Sequence, residues 1–435
     1  MKRWLWIGSL ALGASLLVAC NQSGGSNEGV GSTQRVIVRQ LDTQSATVLY
    51  RLENASHWLP LNLTGGVASF AAQSGYEVVA RCPQSVLFFK QTVQRRDQIV
   101  FTCSSTPSSS ATYRNFEVNI PASVGGSPVR IGDMIFLGQR IEQYQGINPV
   151  PLRGVPLEPG SGEVLVTLLQ YDGVDLPLKP LGYRAVRVDA NTLGTVLVDR
   201  EGWQPFAGKR TVYAVGPTGY TLSGVVLYLH DSNLTFSTVA GSLLAGGVYN
   251  LALSYGLLPA GQGGVYLASI GALQEGSASP SLASNLLLAY KDVGTSNWNV
   301  SLPAPWTPGQ VVVQGGQLTV RRSDAVRFVV YLGGFLEDSS TRQALSLEAD
   351  FQASPSGPTV YTVPLVPELG YSLATNPLGR FTLTAFTRDQ KSELLSLYLY
   401  APSRPRLFSE GEARGADIAL ARAQGEYAGS FLSLP

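Results

Sequence analysis

The sequence predicts an all-β protein built of tandem antiparallel sandwiches, and three observations carry that expectation. Short apolar or alternating runs recur through most of the chain. They are punctuated by glycine and proline, 47 and 26 of them in 435 residues. Charged residues make up only 14 %, with Ser, Thr, Val, Leu and Tyr filling the remainder. That mixture favours pleated, half-buried strands and tight turns over helices. A chain of this length also exceeds what one hydrophobic core usually serves, so several modules are expected.

The chain opens on Lys2 and Arg3, followed by an apolar run from Trp4 to Val18 that is short for a permanent membrane span. This is the pattern of a signal peptide. Leu17-Val18-Ala19-Cys20 at its end resembles the lipobox of bacterial lipoproteins. The resemblance implies that Cys20 is lipidated, becomes the first mature residue and anchors the protein to the membrane on the extracytoplasmic side of a cell envelope. Residues 21 to 34 (NQSGGSNEGVGSTQ) lack apolar periodicity and are rich in Gly and Ser, as in a flexible tether.

A first module is expected over 35–103. Its candidate strands are Val36 to Val38, Ala46 to Leu52, Val67 to Phe70, Tyr76 to Cys82, Val86 to Val93 and Gln98 to Cys103. With Cys20 assigned to the lipid, Cys82 and Cys103 remain, in a compartment where disulfides persist. Three successive antiparallel strands put both cysteines at one end, so a Cys82–Cys103 disulfide is expected. The chain-entropy model values such a loop of roughly twenty residues at about 3 kcal/mol. Free thiols, or a metal site completed by the distant His57, are the alternatives. Ser104 to Ala111 (SSTPSSSA) is a low-complexity linker and the sharpest boundary in the chain.

The middle region, 112–305, contains enough candidate strands for one sandwich or two. They are Phe116 to Ile120, Val129 to Leu137, Glu163 to Tyr171, Tyr183 to Val188, Thr195 to Val198, Thr211 to Val215, Tyr220 to Leu229, Val248 to Leu253, Val265 to Ile270, Leu286 to Ala289 and Trp298 to Leu302. Gln143 to Gly162 carries Pro149, Pro151, Pro156 and Pro159 and reads as an extended linker between modules.

The C-terminal module, 306–435, opens with Val311 to Val320, where Gly315-Gly316 separates two β-rich runs as a two-residue hairpin turn requires. Gly333-Gly334 suggests a second hairpin between Phe328–Leu332 and Phe335-Leu336. Thr359 to Pro364, Arg380 to Phe386 and Leu394 to Tyr400 continue the strand pattern. Glu410 to Gln424, rich in Ala, Glu, Arg and Leu, is the one helical candidate, with Ser409 and Glu412 spaced as a capping box.

A short motif recurs as Gly75-Tyr76-Glu77-Val78-Val79-Ala80, Gly247-Val248-Tyr249-Asn250-Leu251-Ala252 and Gly370-Tyr371-Ser372-Leu373-Ala374. It is similar to the strand that closes a transthyretin-like or immunoglobulin-like sandwich in bacterial envelope proteins. The resemblance implies related modules and no particular activity.

Chemistry is sparse. There is no Gly-x-Ser-x-Gly elbow, Ser-x-x-Lys, His-Glu-x-x-His, phosphate loop or CxxC. Two histidines, His57 and His230, leave little material for a triad or a zinc site. A net charge of +1 without like-charge blocks argues against a nucleic-acid partner. No cofactor or metal is expected. Asp172 and Asp175, and Asp199 with Glu201, are close acidic pairs near aromatics, the raw material of a glycosidase, although Asp-Gly and Asp-Arg-Glu-Gly are ordinary turn and loop sequences.

Three function classes follow. The first is a non-enzymatic lipoprotein whose modules serve as a spacer or bind an envelope protein or glycan. The second is a carbohydrate-binding or carbohydrate-cleaving protein using Trp203, Trp298 and Trp306. The third is a transporter-associated substrate-binding lipoprotein, disfavoured because such proteins alternate strands with long helices. The first is the expectation.

Overall fold

The computed structural model describes residues 34–433, apart from 41, 92–97, 104–110, 174–176, 243–247, 260–262, 276–284, 308, 315–316, 338–341, 363–378, 393–407 and 429–430. The expected signal peptide, Cys20, almost all of the tether and of the 104–111 linker, the Leu394–Tyr400 strand and the third copy of the glycine motif lie outside the described residues.

The first stretch contains β1 (Gln34–Gln40), β2 (Thr47–Leu52), β3 (Leu59–Pro60), β4 (Val67–Ala72), β5 (Tyr76–Arg81), β6 (Ser85–Gln91) and β7 (Gln98–Phe101). Strand β1 lies at the centre of a three-stranded sheet, antiparallel to β4 and parallel to β7. The remaining strands run antiparallel in the order β3-β2-β5-β6. Period-two alternation turns Val36, Val38 and Phe70 of the small sheet toward Val48, Val78 and Ala80 of the larger one, and these residues share one core cluster.

The second stretch repeats this order with β8 (Thr112–Val118), β11 (Met134–Leu137), β12 (Arg140–Gln143), β13 (Val150–Leu157), β14 (Ser161–Gln170), β15 (Lys179–Asp189) and β16 (Thr195–Val198). It adds the small hairpin of β9 (Ser123–Val124) with β10 (Ser127–Pro128), and a two-residue β17 (Gln204–Pro205). Its sheets are β13-β8-β16 and β12-β11-β14-β15-β17. Phe116, Leu152, Ile135, Val166 and Leu168 fill the space between them.

The third stretch follows suit. It has β18 (Gly208–Val215), β19 (Tyr220–Leu229), β20 (Ser237–Gly241), β21 (Asn250–Leu257), β22 (Val265–Gln274), β23 (Asn285–Asp292) and β24 (Trp298–Asn299). The small sheet is β21-β18-β24, with β18 and β24 parallel, and the larger run is β20-β19-β22-β23. The region 112–305 thus holds two copies of the arrangement.

The last stretch keeps the larger sheet, β28-β27-β30-β31, formed by β27 (Arg327–Glu337), β28 (Arg342–Gln352), β30 (Gly379–Gln390) and β31 (Asp417–Ala428). Its small sheet is β25 (Val311–Gln314), β26 (Gln317–Val320) and β29 (Thr359–Thr362), and β32 (Phe431–Ser433) hairpins back on β31. The expected first hairpin is present, its register closing on Gln314↔Gln317.

Hydrogen bonding crosses the expected module boundaries. β23 pairs antiparallel with β31, and β28 pairs parallel with β6, so three of the four larger sheets merge into one sheet of thirteen strands. Strands from 35–103, 112–305 and 306–435 therefore share a single ladder. Its inner strands are apolar on both faces: Leu287, Val330 and Ala421 belong to one cluster, and Leu288, Val329 and Leu420 to the cluster on the other side.

Four local expectations are corrected. Residues 410–424 are not one helix: the capping box forms, with Ser409 Oγ accepting from Glu412 N and a Glu412 carboxylate oxygen accepting from Ser409 N, but α1 (Glu410–Ala413) is a single turn. Gly415, at φ +74°, reverses the chain into β31. There Ala419, Ala421 and Ala423 are fully buried between β23 and β30, so tertiary pairing overrides the helix propensity of alanine. The Pro-rich 143–162 segment is no linker, because it contains β13, which lies at the edge of its sheet, where prolines at 151 and 156 are tolerated. Gly333-Gly334 is no turn, since β27 runs straight through it and pairs with β28. Finally, β5, β6 and β7 do not form one meander, because β7 crosses to the small sheet beside β1.

Candidate functional site

The Cys82–Cys103 disulfide is present, with Cα atoms 5.3 Å apart and a sequence separation of 21. Because Cys82 follows β5 and Cys103 follows β7, it ties the larger sheet of the first stretch to the smaller one. Beside it lies a half-open groove of about 820 Å³, lined by Gln40, Asp42, Thr47, Pro60, Leu61 and Asn62 among others. The Asp42 carboxylate in its lining accepts from Gln40 Nε2 and from Thr102 Oγ1, each at 2.6 Å.

The described acids among those singled out in the sequence lie on two different loops. Asp172, in the loop after β14, pairs with Lys179 Nζ at 2.5 Å and lies 3.8 Å from Arg130 Nη1. Asp199 and Glu201 are exposed on the loop between β16 and β17. Asp175 lies outside the described residues.

The three tryptophans of the carbohydrate alternative take part in packing. Trp298 and Trp306 are 8 % and 5 % exposed within the core. Trp306 Nε1 donates to Ala421 O at 3.0 Å while the Arg322 guanidinium stacks over its ring, 4.7 Å from the centroid. Half-buried Trp203 donates to Asn119 O at 3.2 Å, bridging the two sheets of the second stretch.

His57 is exposed. His230 Nδ1 lies 2.6 Å from Ser232 Oγ and accepts from Ser232 N at 3.2 Å, so that nitrogen closes the turn at Asp231. A general base needs a partner that orients it toward a nucleophile, and this local ring closure is a turn device. Among the described residues no three His, Cys, Asp or Glu side chains gather as a metal ligand set.

Two polar features escape sequence reasoning. One is a buried cluster on the thirteen-stranded sheet: Arg327 Nη1 pairs with Asp350 Oδ2 at 2.5 Å, Arg327 Nε lies 3.4 Å from Asp389 Oδ2, and Gln91 Nε2 donates to Asp350 at 3.2 Å. Gln91 is on β6 and Asp350 on β28, so the cluster spans the first and last stretches. The other is Asp133, fully buried at the start of β11, whose oxygens accept from Arg130 N at 2.8 Å and Tyr171 N at 3.0 Å. Burial pushes its carboxyl above the usual range, and the two backbone N–H bonds offset this only in part.

A raised carboxyl pKa in the folded state means that the fold holds the proton more tightly than the unfolded chain does. The stabilisation is present below the ordinary carboxylate pKa and is lost as pH rises through the raised one. Asp133→Asn should therefore remove a contribution that falls as pH rises through the carboxylate range, so that relative to the variant the wild type loses stability across that range. Urea midpoints measured across that range for both proteins check this, and parallel profiles would refute it.

No protein-family model matches the chain, and no curated protein matches it.

Proposed function

We propose that the protein is a lipid-anchored, non-enzymatic lipoprotein of a bacterial cell envelope, held through Cys20. Its β body serves as a spacer or as a platform for an envelope protein or glycan. In this reading the four stretches are sandwich modules of transthyretin-like or immunoglobulin-like type. The observation that supports it most is the recurrence of one strand order. In three stretches a first strand lies between an antiparallel and a parallel neighbour, while the remaining four run antiparallel in the facing sheet. This partition of seven strands into three and four is that of Greek-key sandwiches.

The use of polar and aromatic side chains fits the same reading. Tryptophans are spent on packing, histidine on a turn, and Asp172 on ion pairs. The lipobox resemblance supplies the address, and an uncharged 21–34 tether, Glu28 apart, would hold the body off the bilayer. Cys20→Ser should abolish lipid attachment and move the protein from the detergent phase to the aqueous phase on phase partitioning. Wild-type protein found in the aqueous phase, unmodified and cleaved elsewhere than before Cys20, would refute the anchor.

A further inference from the structure

In each stretch one long strand closes the run of four in the larger sheet, and three of these four closing strands are joined to another stretch: β6 to β28, and β23 and β31 to each other. The fourth is β15. One side of β15 is paired with β14 over its whole length, from Lys179 to Asp189. The other side carries β17 only at Gly182↔Pro205 and Tyr183↔Gln204, and the Arg184 guanidinium reaches Gly202 O at 3.3 Å just beyond. From Ala185 to Asp189 no strand among the described residues pairs with that side. Open edges of this kind template further pairing unless they are blunted.

We propose that β15 is a self-association edge, pairing antiparallel with β15 of a second copy about a twofold axis through Val188. The β23–β31 ladder shows two closing strands of this chain meeting antiparallel in the same way. Charge selects the register. Residues directly opposite in an antiparallel pair share a face, so the twofold axis can pass through a residue and oppose its neighbours crosswise. Centred on Arg187, it would set two guanidinium groups against each other. Centred on Val188, it sets each Arg187 against Asp189 of the second copy, with both residues on the exposed face and Val188 buried beneath. Arg187 already lies across from Glu163 on β14, so the pairing extends a row of alternating charge from one copy into the other.

Sedimentation velocity of the full chain in detergent tests this. The protein component should sediment with twice the mass of one mature chain. Arg187→Asp, at an exposed position, should weaken the dimer roughly tenfold. The charge swap R187D/D189R should restore it. Asp189 also accepts from Asn191 N at 2.9 Å, so variants carrying D189R are scored only where their melting curves match the wild type. A wild-type monomer up to roughly 100 μM, a larger assembly, or a dimer indifferent to R187D would each overturn the proposal, as would a folded swap that stays monomeric. None of these outcomes bears on the lipid anchor, which Cys20→Ser tests separately.

Discussion

Asp350→Ala should lower the unfolding free energy by about 3–5 kcal/mol, the range for removing one partner of a buried ion pair. The side chains of Arg327 and Asp350 are 8 % and 1 % exposed. Without Asp350 the guanidinium keeps Asp389 at 3.4 Å, a contact with Ser392 Oγ and the Phe386 ring 4.2 Å away, but loses its shortest acidic partner. Gln91 Nε2 loses its acceptor at the same time, which loosens the β6–β28 seam. Denaturant unfolding followed by tryptophan fluorescence reads the change, since Trp306 belongs to the same stretch. The double variant Arg327→Met/Asp350→Leu should lose less than Asp350→Ala alone, because it removes both members of the more buried pair and withdraws the guanidinium only from Asp389, whose side chain is 14 % exposed. A loss under about 1 kcal/mol for Asp350→Ala would show that the cluster is hydrated or rearranges freely.

Reducing the Cys82–Cys103 bond, or replacing both cysteines with serine, should cost about 3 kcal/mol for a loop of this length. The loss should be local. β1, β4 and β7 form a small sheet that is joined to the rest by core contacts and this one covalent link, whereas β5 and β6 remain in the long ladder. Hydrogen exchange after reduction should therefore accelerate first at β1, β4 and β7, with β22 and β23 unchanged. Uniform acceleration along the chain would mean that the first stretch does not open as a separate unit.

Strand positions were largely legible because alternation is local. Thr195 to Val198 and Tyr220 to Leu229 are bounded in the structure where the sequence places them. What local pattern cannot carry is partnership. The run Ile418 to Ala423 has the composition of a helix, and only the presence of β23 and β30 on its two sides makes small residues in extended chain the better solution. Gly333-Gly334 has the look of a turn until β28 pairs through it. Asp350 stands in a Leu-Glu-Ala-Asp-Phe run that falls between the expected strands, and neither β28 nor the Gln91 partner 259 residues earlier on β6 shows in the local pattern. The disulfide is legible from the cysteine count, but the three-strand meander expected to bring Cys82 and Cys103 together is absent: they meet because β7 leaves the β5–β6 pair, which makes the bond a tie between facing sheets.

The β6–β28 pairing also governs how the protein comes into being. Ser85 meets Ala344 and Gln91 meets Asp350, so the open side of β6 waits for a partner that is synthesised long afterwards. Parallel pairing at such separation closes a very large loop and forms slowly. Throughout that interval the nascent first stretch presents an apolar edge, Ser-Val-Leu-Phe-Phe-Lys-Gln, to whatever surrounds it. The sheet of the first stretch is therefore completed only when the final quarter of the chain arrives.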